Sequence, residues 1–299
     1  SAASDVYKRQ PLQGLSNDAI LRQNKRICFG RVFVRQNEKT KLKRRYNVKY
    51  IGSKAKFADE IVAILQGYIS EYKIKQYVEP FAGGFNVIDK VQCEYRLGND
   101  IDPLVCDLIE TCRDNPALLD SLHTPTREEY YDVRDNKGNY AAWYRAAVLL
   151  FASYNSRVYG GCYGATAQTK DGKTRNYFEE SKQNFQCQLP ALRNILVGNA
   201  DYRDLRFPTR ERVLIYCDPP YSTGIGYGGE KFDTAEFWNW CRLQTAAGHI
   251  VIISEYTAPD DFVCIWEHKT KTHLNNRAKI DRTEKLFIQG GLKCQKYTI

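Results

Sequence analysis

The sequence has no methionine, only four histidines and no Cys-x-x-Cys pair. It also has no apolar run approaching the roughly 18 residues that a membrane helix needs. That argues against a membrane-spanning helix, and the N-terminal residues lack the apolar core of a secretory signal. Ten cysteines are scattered along the chain, and without an export signal they read as reduced thiols of a cytoplasmic protein. The histidines and cysteines show no ligand spacing, so no metal site is expected. With no methionine, no initiator is visible, and the first ten residues, SAASDVYKRQ, resemble a translated sequencing-library adapter more than a gene start.

Acidic residues are scarce in one place. Residues 1–49 carry thirteen Lys and Arg against three acids, while the rest of the chain carries 31 basic and 32 acidic residues. The net charge of +9 therefore belongs to an N-terminal arm. Such an arm either lies on phosphates in a salt-dependent way or is a solvated or artefactual tail. No function is built on residues 1–45, and organised sequence is expected from residue 46.

The stretch that organises the remainder is Asp218-Pro219-Pro220-Tyr221. It follows Val213-Leu214-Ile215-Tyr216-Cys217, a short β-branched run that reads as a buried strand stopped by two prolines. A carboxylate is thereby set at the C-terminal lip of a strand, where open α/β sheets bind ligands. The simpler alternative is a proline turn with a surface tyrosine.

Three other segments fit an α/β sheet. Gly52-Ser53-Lys54, after Tyr50, leads into a helical pattern at Phe57, Ile61, Ile64 and Leu65. Ser53 is a possible N-cap, and Lys54 is a candidate for meeting a carboxylate or phosphate. Gln76–Glu79 runs into Pro80-Phe81-Ala82-Gly83-Gly84, which reads as strand, glycine turn and helix, the helix carrying Val87, Ile88 and Val91. Tyr95–Gly98 ends in Asn99-Asp100-Ile101-Asp102. Asp102 is expected to cap a helix over 103–111, which leaves Asp100 to accept bonds from a ribose diol. Asn194–Tyr202 again reads as a strand with an acid, Asp201, at its end.

Residues 112–190 break the alternation and read as an inserted recognition module, with a helix over 140–151. Its Asn155, Arg157, Tyr159, Lys170, Lys173 and Arg175 are residue types that read base edges, stack on bases or hold phosphates. A lid or packing insert is the alternative. Beyond Tyr221, the glycine-rich residues 222–229 read as a mobile loop, and Thr234 as the N-cap of a helix to Leu243. A strand over 249–254 and a pair over 262–267 and 284–289 close the chain, the pair joined by a basic loop, His268 to Arg282.

No Ser-His-Asp set or pair of general-acid carboxylates is present. That favours a reaction needing little acid–base help, such as attack by an amine on an activated methyl group. The D-P-P-Y, the F-A-G-G turn, the N-D-I-D segment and the K-Y-I-G-S-K start, in this order, resemble the Dam-type (D12 class) adenine-specific DNA methyltransferases, particularly phage-borne ones, over residues 46–299. The resemblance implies a Rossmann-like S-adenosylmethionine-dependent methyltransferase sheet over 46–111 and 191–299, with a mostly helical DNA-recognition insert over 112–190. It implies S-adenosylmethionine as cofactor and double-stranded DNA as partner, with no membrane; a monomer is expected. Tyr50, Lys54, Phe81, Ala82, Gly83 and Gly84 would line the cofactor, Asp100 would take the ribose, and Asp201 or Tyr202 would meet the cofactor adenine. Asp218, Pro219, Pro220 and Tyr221 would act on a flipped adenine. Two other activities compete with that reading: methylation of the cytosine amine, and a catalytically silent DNA-binding relative.

Overall fold

The computed structural model describes residues 50, 52–208, 210–220, 232–275 and 278–290, without the side chains of Asn155 and of residues 270–282. The basic arm 1–45, Tyr221 and the glycine loop 222–229 lie outside these residues.

Helix α1 (Ala58–Glu71) precedes strand β1 (Gln76–Glu79), then β2 (Tyr95–Asn99) and α2 (Pro103–Asp114). Helices α3 (Arg127–Arg134) and α4 (Ala142–Ala152), the short hairpin β3 (Thr166–Gln168) and β4 (Thr174–Asn176), and α5 (Tyr177–Leu192) make up the insert region. Strands β5 (Ile195–Gly198) and β6 (Val213–Cys217), helix α6 (Thr234–Ala246), and strands β7 (Ile250–Glu255), β8 (Phe262–Asn275) and β9 (Ala278–Gln289) complete the order.

Seven strands form one sheet in the order β5-β2-β1-β6-β7-β9-β8. The first five are parallel; β9 and β8 are antiparallel additions. β6 is buried at all five positions, as a central parallel strand covered on both faces must be. Its side chains alternate between two cores. Leu214 and Tyr216 join one with α1, α2, α4 and α5, whereas Val213, Ile215 and Cys217 join the other with Phe237 and Trp240 of α6. The strand order reverses between β1 and β6, which makes that point the topological switch of a Rossmann-like doubly wound sheet. Among the described residues no helix is long and apolar enough to cross a membrane.

Among the described residues the insert region has no core of its own. Tyr130, Trp143, Phe151, Phe178 and Phe185 belong to the same apolar cluster as Tyr77, Tyr216 and Ile252 of the sheet. The helix expected over 140–151 is α4, and it is so thoroughly buried because it packs against α2, α3 and α5.

Several sequence expectations shift. The segment after the glycine turn is a run of turns, not a helix, because Gly83 at φ +49 and Phe85 at φ +57 leave the right-handed helical region. Phe85 is fully buried, with its ring against Gly98 of β2. The cap of α6 is Asp233, whose carboxylate accepts from the Glu236 N–H, with Thr234 as the first helical residue. Asp102 caps α2 as expected, but the helix runs on to Asp114. The basic stretch from His268 to Arg282 is no loop: β8 and β9 continue as an antiparallel ladder to the Asn275–Ala278 pair.

Gly98 gives a direct test of this packing. A Cβ there would stand 2.3 Å from Phe85 Cε1 and 2.8 Å from Cδ1. Gly98→Ala is expected to cost about 1–3 kcal/mol through overpacking, read as a fall in melting temperature. Phe85→Leu in the same chain should restore part of the loss, and a Gly98→Ala variant that melts like the parent would contradict the contact.

Candidate active site at the sheet switch point

The C-terminal ends of β1, β2, β5 and β6 open on one edge, and Asn99 ties three of them together. Its side-chain amide donates to Pro80 O at 3.0 Å and Ala200 O at 2.9 Å, and its Oδ1 accepts from the Ala200 N–H at 3.0 Å. Its own carbonyl accepts from the Ala82 N–H at 2.8 Å. Asn99 is fully buried, so these bonds replace water and fix the spacing of the strand-end loops.

The glycine turn is held from both sides. Gly83 N–H donates to Asp100 Oδ2 at 2.8 Å. From the other side the Tyr50 ring lies so close that a Cβ on Gly83 would meet its Cε1 at 2.9 Å. Gln188, on α5, donates to Gly84 O at 3.2 Å and Phe85 O at 3.1 Å. Ser53 caps the short 3₁₀ turn Lys54–Lys56 and accepts from Asn86 Nδ2 at 2.8 Å. Tyr50, Phe81, Ala82, Gly83, Gly84 and Asp100 are thus gathered around one corner, while the Lys54 ammonium, expected beside them, is turned to Asp218 across the switch point.

Asp100 is more engaged than its sequence position suggests. Besides Gly83, it accepts from the Asp102 N–H at 2.9 Å through Oδ1. Burial pushes its carboxyl up to about 6, against the pull of these backbone donors. The next side chain, Ile101, is 55% exposed and offers an apolar face beside that carboxylate.

Asp201 and Tyr202 stand differently. Arg203 grips Asp201 through both oxygens at 2.8 Å, which holds that carboxyl below its usual range. Tyr202 is buried in an aromatic cluster, its ring centroid 5.2 Å from Phe81 and 5.3 Å from Trp240.

Across the switch point, Asp218 stands at the lip of β6 with Pro219 buried behind it. Lys54 Nζ lies 2.8 Å from Asp218 Oδ1 and 3.8 Å from Glu284 Oε2 of β9. Lys54 is 6% exposed, so this contact is little screened by solvent. The lysine expected to meet a carboxylate or phosphate meets the D-P-P-Y carboxylate. Beneath it, the Tyr77 hydroxyl donates to Glu79 Oε1 at 2.6 Å, and burial holds the Glu79 carboxyl well above the usual carboxylate range.

The candidate DNA contacts divide. Lys170, Lys173 and Arg175 are exposed on and beside the β3–β4 hairpin. Lys173 Nζ is 3.4 Å from Asp171, while Arg175 pairs with Glu180 at 2.7 and 2.8 Å and lies over the Tyr177 ring. Arg157 is exposed on the loop after α4, and Asn155 lies in the 3₁₀ turn Tyr154–Ser156. Tyr159 is about half exposed, at 48%, and its hydroxyl donates to Asp102 Oδ1 at 2.8 Å.

Sequence reasoning passed over Asn99, Gln188, Glu79 and Glu284. Asn99 stands inside a motif already singled out, and an Asn at a parallel strand's end is a usable signal. Gln188 lies 104 residues from the turn it braces and carries none.

The chain is 26% identical over 201 residues to the type II methyltransferase M.MjaIII of Methanocaldococcus jannaschii, covering 58% of this chain and 68% of that protein. It is 25% identical over 240 residues to the type II methyltransferase M.FokI of Planomicrobium okeanokoites, covering 75% of this chain and 35% of that protein. The chain thus spans about two thirds of the length of the first relative and about a third of the second. Among solved structures, the rRNA methyltransferase aviRa of Streptomyces viridochromogenes aligns at a TM-score of 0.35 and 12% identity, covering 81% of this chain and 86% of that one. The fold assignment rests on the strand order, not on that likeness. Residues 50–238, more than half of the chain, match the family model of the D12 class N6 adenine-specific DNA methyltransferases, and the segment holds the glycine turn, Asp100 and the D-P-P-Y alike, so the chain belongs to that family.

Proposed function

We propose that the chain is a Dam-type enzyme that transfers a methyl group from S-adenosylmethionine to N6 of an adenine turned out of double-stranded DNA. It works as a monomer in the cytoplasm of the cell that holds the DNA, since one chain supplies every group named below. The observation that carries this reading is the pairing of Asp218 with Lys54 at the lip of β6, across the switch point from the Asp100–Gly83 corner.

The corner fits the methyl donor. Gly83 and Gly84 let a ligand approach the backbone, Asp100 offers carboxylate oxygens to a ribose diol, and Ile101 offers its exposed apolar side chain to a purine ring. Phe81 and Tyr202 pack together beneath. When bound, S-adenosylmethionine supplies an electrophilic methyl group.

The exocyclic amine of adenine is a poor nucleophile, because its lone pair is delocalised into the ring. The Asp218 carboxylate and the Pro219 carbonyl accept its two N–H bonds and favour a more tetrahedral nitrogen. Lys54 holds one carboxylate oxygen and so sets the direction of the other. Proline at 220 has no N–H to form a helical bond of its own near that carbonyl. Tyr221 stacks on the extruded base. Extrusion costs a few kcal/mol and one stacking contact returns about 1–3 kcal/mol, so further contacts are needed. Asn155, Arg157, Lys170, Lys173 and Arg175 of the insert, residues 112–190, supply them.

The test is transfer of labelled methyl from S-adenosylmethionine to unmethylated duplex DNA. Label retained on DNA is expected; label absent from DNA while the protein binds cofactor would overturn the reading. Asp100 adds a pH signature. Its ionised form is the acceptor, and it titrates near 6. Affinity for S-adenosylhomocysteine should therefore be level above about pH 7 and weaken below pH 6, approaching tenfold per pH unit. A dissociation constant that stays flat between pH 5 and 8 by calorimetry would remove Asp100 from the ribose role.

A further inference from the structure

Tyr159 belongs to the insert yet reaches the cofactor corner. Its hydroxyl donates to Asp102 Oδ1 at 2.8 Å. The Asp102 N–H donates to Asp100 Oδ1 at 2.9 Å, and Asp100 Oδ2 accepts from the Gly83 N–H at 2.8 Å. A path thus runs from the insert loop to the glycine turn through Asp102, which is bonded by its carboxylate on one side and by its backbone N–H on the other.

Asp102 is engaged on one side. It is 3% exposed, its Oδ1 takes both Tyr159 and the Leu104 N–H, and among the described residues its Oδ2 has no hydrogen-bond partner within normal geometry, though the Val105 N–H also favours the ionised carboxylate. Capping α2 requires only the Leu104 bond. The Tyr159 bond is thus an addition to the cap, made to the same oxygen that the Leu104 N–H already uses.

The loop that carries Tyr159 can transmit force. It is pinned at its base by the Ser153–Tyr163 bridge, by the Tyr154 N–H to Cys162 O bond at 2.8 Å and by the Gly164 N–H to Ala152 O bond at 2.7 Å. The Tyr130 and Ser153 hydroxyls meet at 2.6 Å below it. Arg157, exposed two residues before Tyr159, shares the loop. Arg157 and the phenol are therefore carried by one short loop that is tied at both ends.

We infer that Tyr159 is a positioning residue that couples DNA binding at the insert to cofactor binding at Asp100, through its bond to Asp102. DNA on the loop holds the phenol on Asp102, Asp102 holds the Asp100 carboxylate in place, and the ordering needed for the second ligand is met by the first. The coupling is reciprocal, so either ligand strengthens the other by the same factor. This inference rests on the proposed methyl-donor site.

The test uses the full chain, with S-adenosylhomocysteine as one ligand and sheared unmethylated duplex DNA as the other. Its dissociation constant is measured by calorimetry with and without saturating DNA, for the parent and for Tyr159→Phe. The phenylalanine keeps the ring and removes only the hydroxyl. DNA is expected to tighten cofactor binding about tenfold in the parent, within the usual range of such couplings, and less than about twofold in Tyr159→Phe. A variant that keeps the parent ratio, or a parent with no coupling, overturns the inference and leaves the donor site standing. A parent that binds no S-adenosylhomocysteine at all overturns the donor-site reading and this inference with it.

Discussion

Replacing Asp218 by alanine is expected to slow methyl transfer by about 10³-fold, the upper range for loss of a preorganised polar group at a reacting centre. Affinity for S-adenosylhomocysteine should stay within about threefold of the parent, because Asp218 stands at the lip of β6 and not among the groups that enclose the Asp100 corner. Asp218→Asn should fare no better than Asp218→Ala. Lys54 sits 2.8 Å from one carboxylate oxygen and has no use for an amide N–H. It would claim the amide oxygen, and the amide nitrogen would face the adenine amine, donor against donor. Single-turnover rates on unmethylated DNA check both variants. An asparagine variant with near-parent turnover would mean that Asp218 does not accept from the amine.

Lys54→Met should be the second large effect, on stability and turnover together. The ammonium stands between Asp218 and Glu284, and all three side chains are mostly buried, at 6%, 19% and 12% exposure. Taking one partner out of a buried ion pair costs about 3–5 kcal/mol, since the remaining charge loses its compensation. Two carboxylates would then face one another without the cation. Turnover should fall by about 10²-fold, as the carboxylate loses the contact that aims it. Adding Glu284→Gln to Lys54→Met should recover part of the stability and little of the turnover. Thermal melting and steady-state rates measure the two separately, and a Lys54→Met chain that melts and turns over like the parent would refute the arrangement.

The sheet was legible in the sequence wherever burial is two-sided. Val213–Cys217 is β-branched, apolar and stopped by prolines, and the strand has those bounds. The Asp102 cap was legible because its chemistry is local: a carboxylate, then Pro103, then a helical pattern. Thr234 was misplaced by one residue because two capping residue types stand side by side, and the stronger one, Asp233, takes the position. The missing helix after Gly84 has a tertiary cause. Val87, Ile88 and Val91 carry the helical spacing, but Phe85 must take φ +57 to bury its ring against Gly98, and periodicity does not register that requirement.

The candidate site was legible as a set of segments rather than as a geometry. Each strand-end motif named its own residues, and the sheet gathers them because parallel strands open on the same edge. Pairings between distant segments left no trace. Lys54 and Asp218 are 164 positions apart, Gln188 and Gly84 are 104, and Tyr159 and Asp102 are 57. The insert was legible as a break in the alternation, but not as part of the same core, because its apolar residues show how much they bury and not against what.

The central claim is that Asp218, held by Lys54, turns an adenine amine into a methyl acceptor. The most direct measurement incubates unmethylated DNA with the protein and isotopically labelled S-adenosylmethionine, digests the DNA to nucleosides and identifies the labelled species by mass spectrometry. The expected result is N6-methyladenine as the labelled nucleoside for the parent, and its formation about 10³-fold more slowly by Asp218→Ala. Label on the cytosine amine, or N6-methyladenine formed equally by Asp218→Ala, would contradict the account.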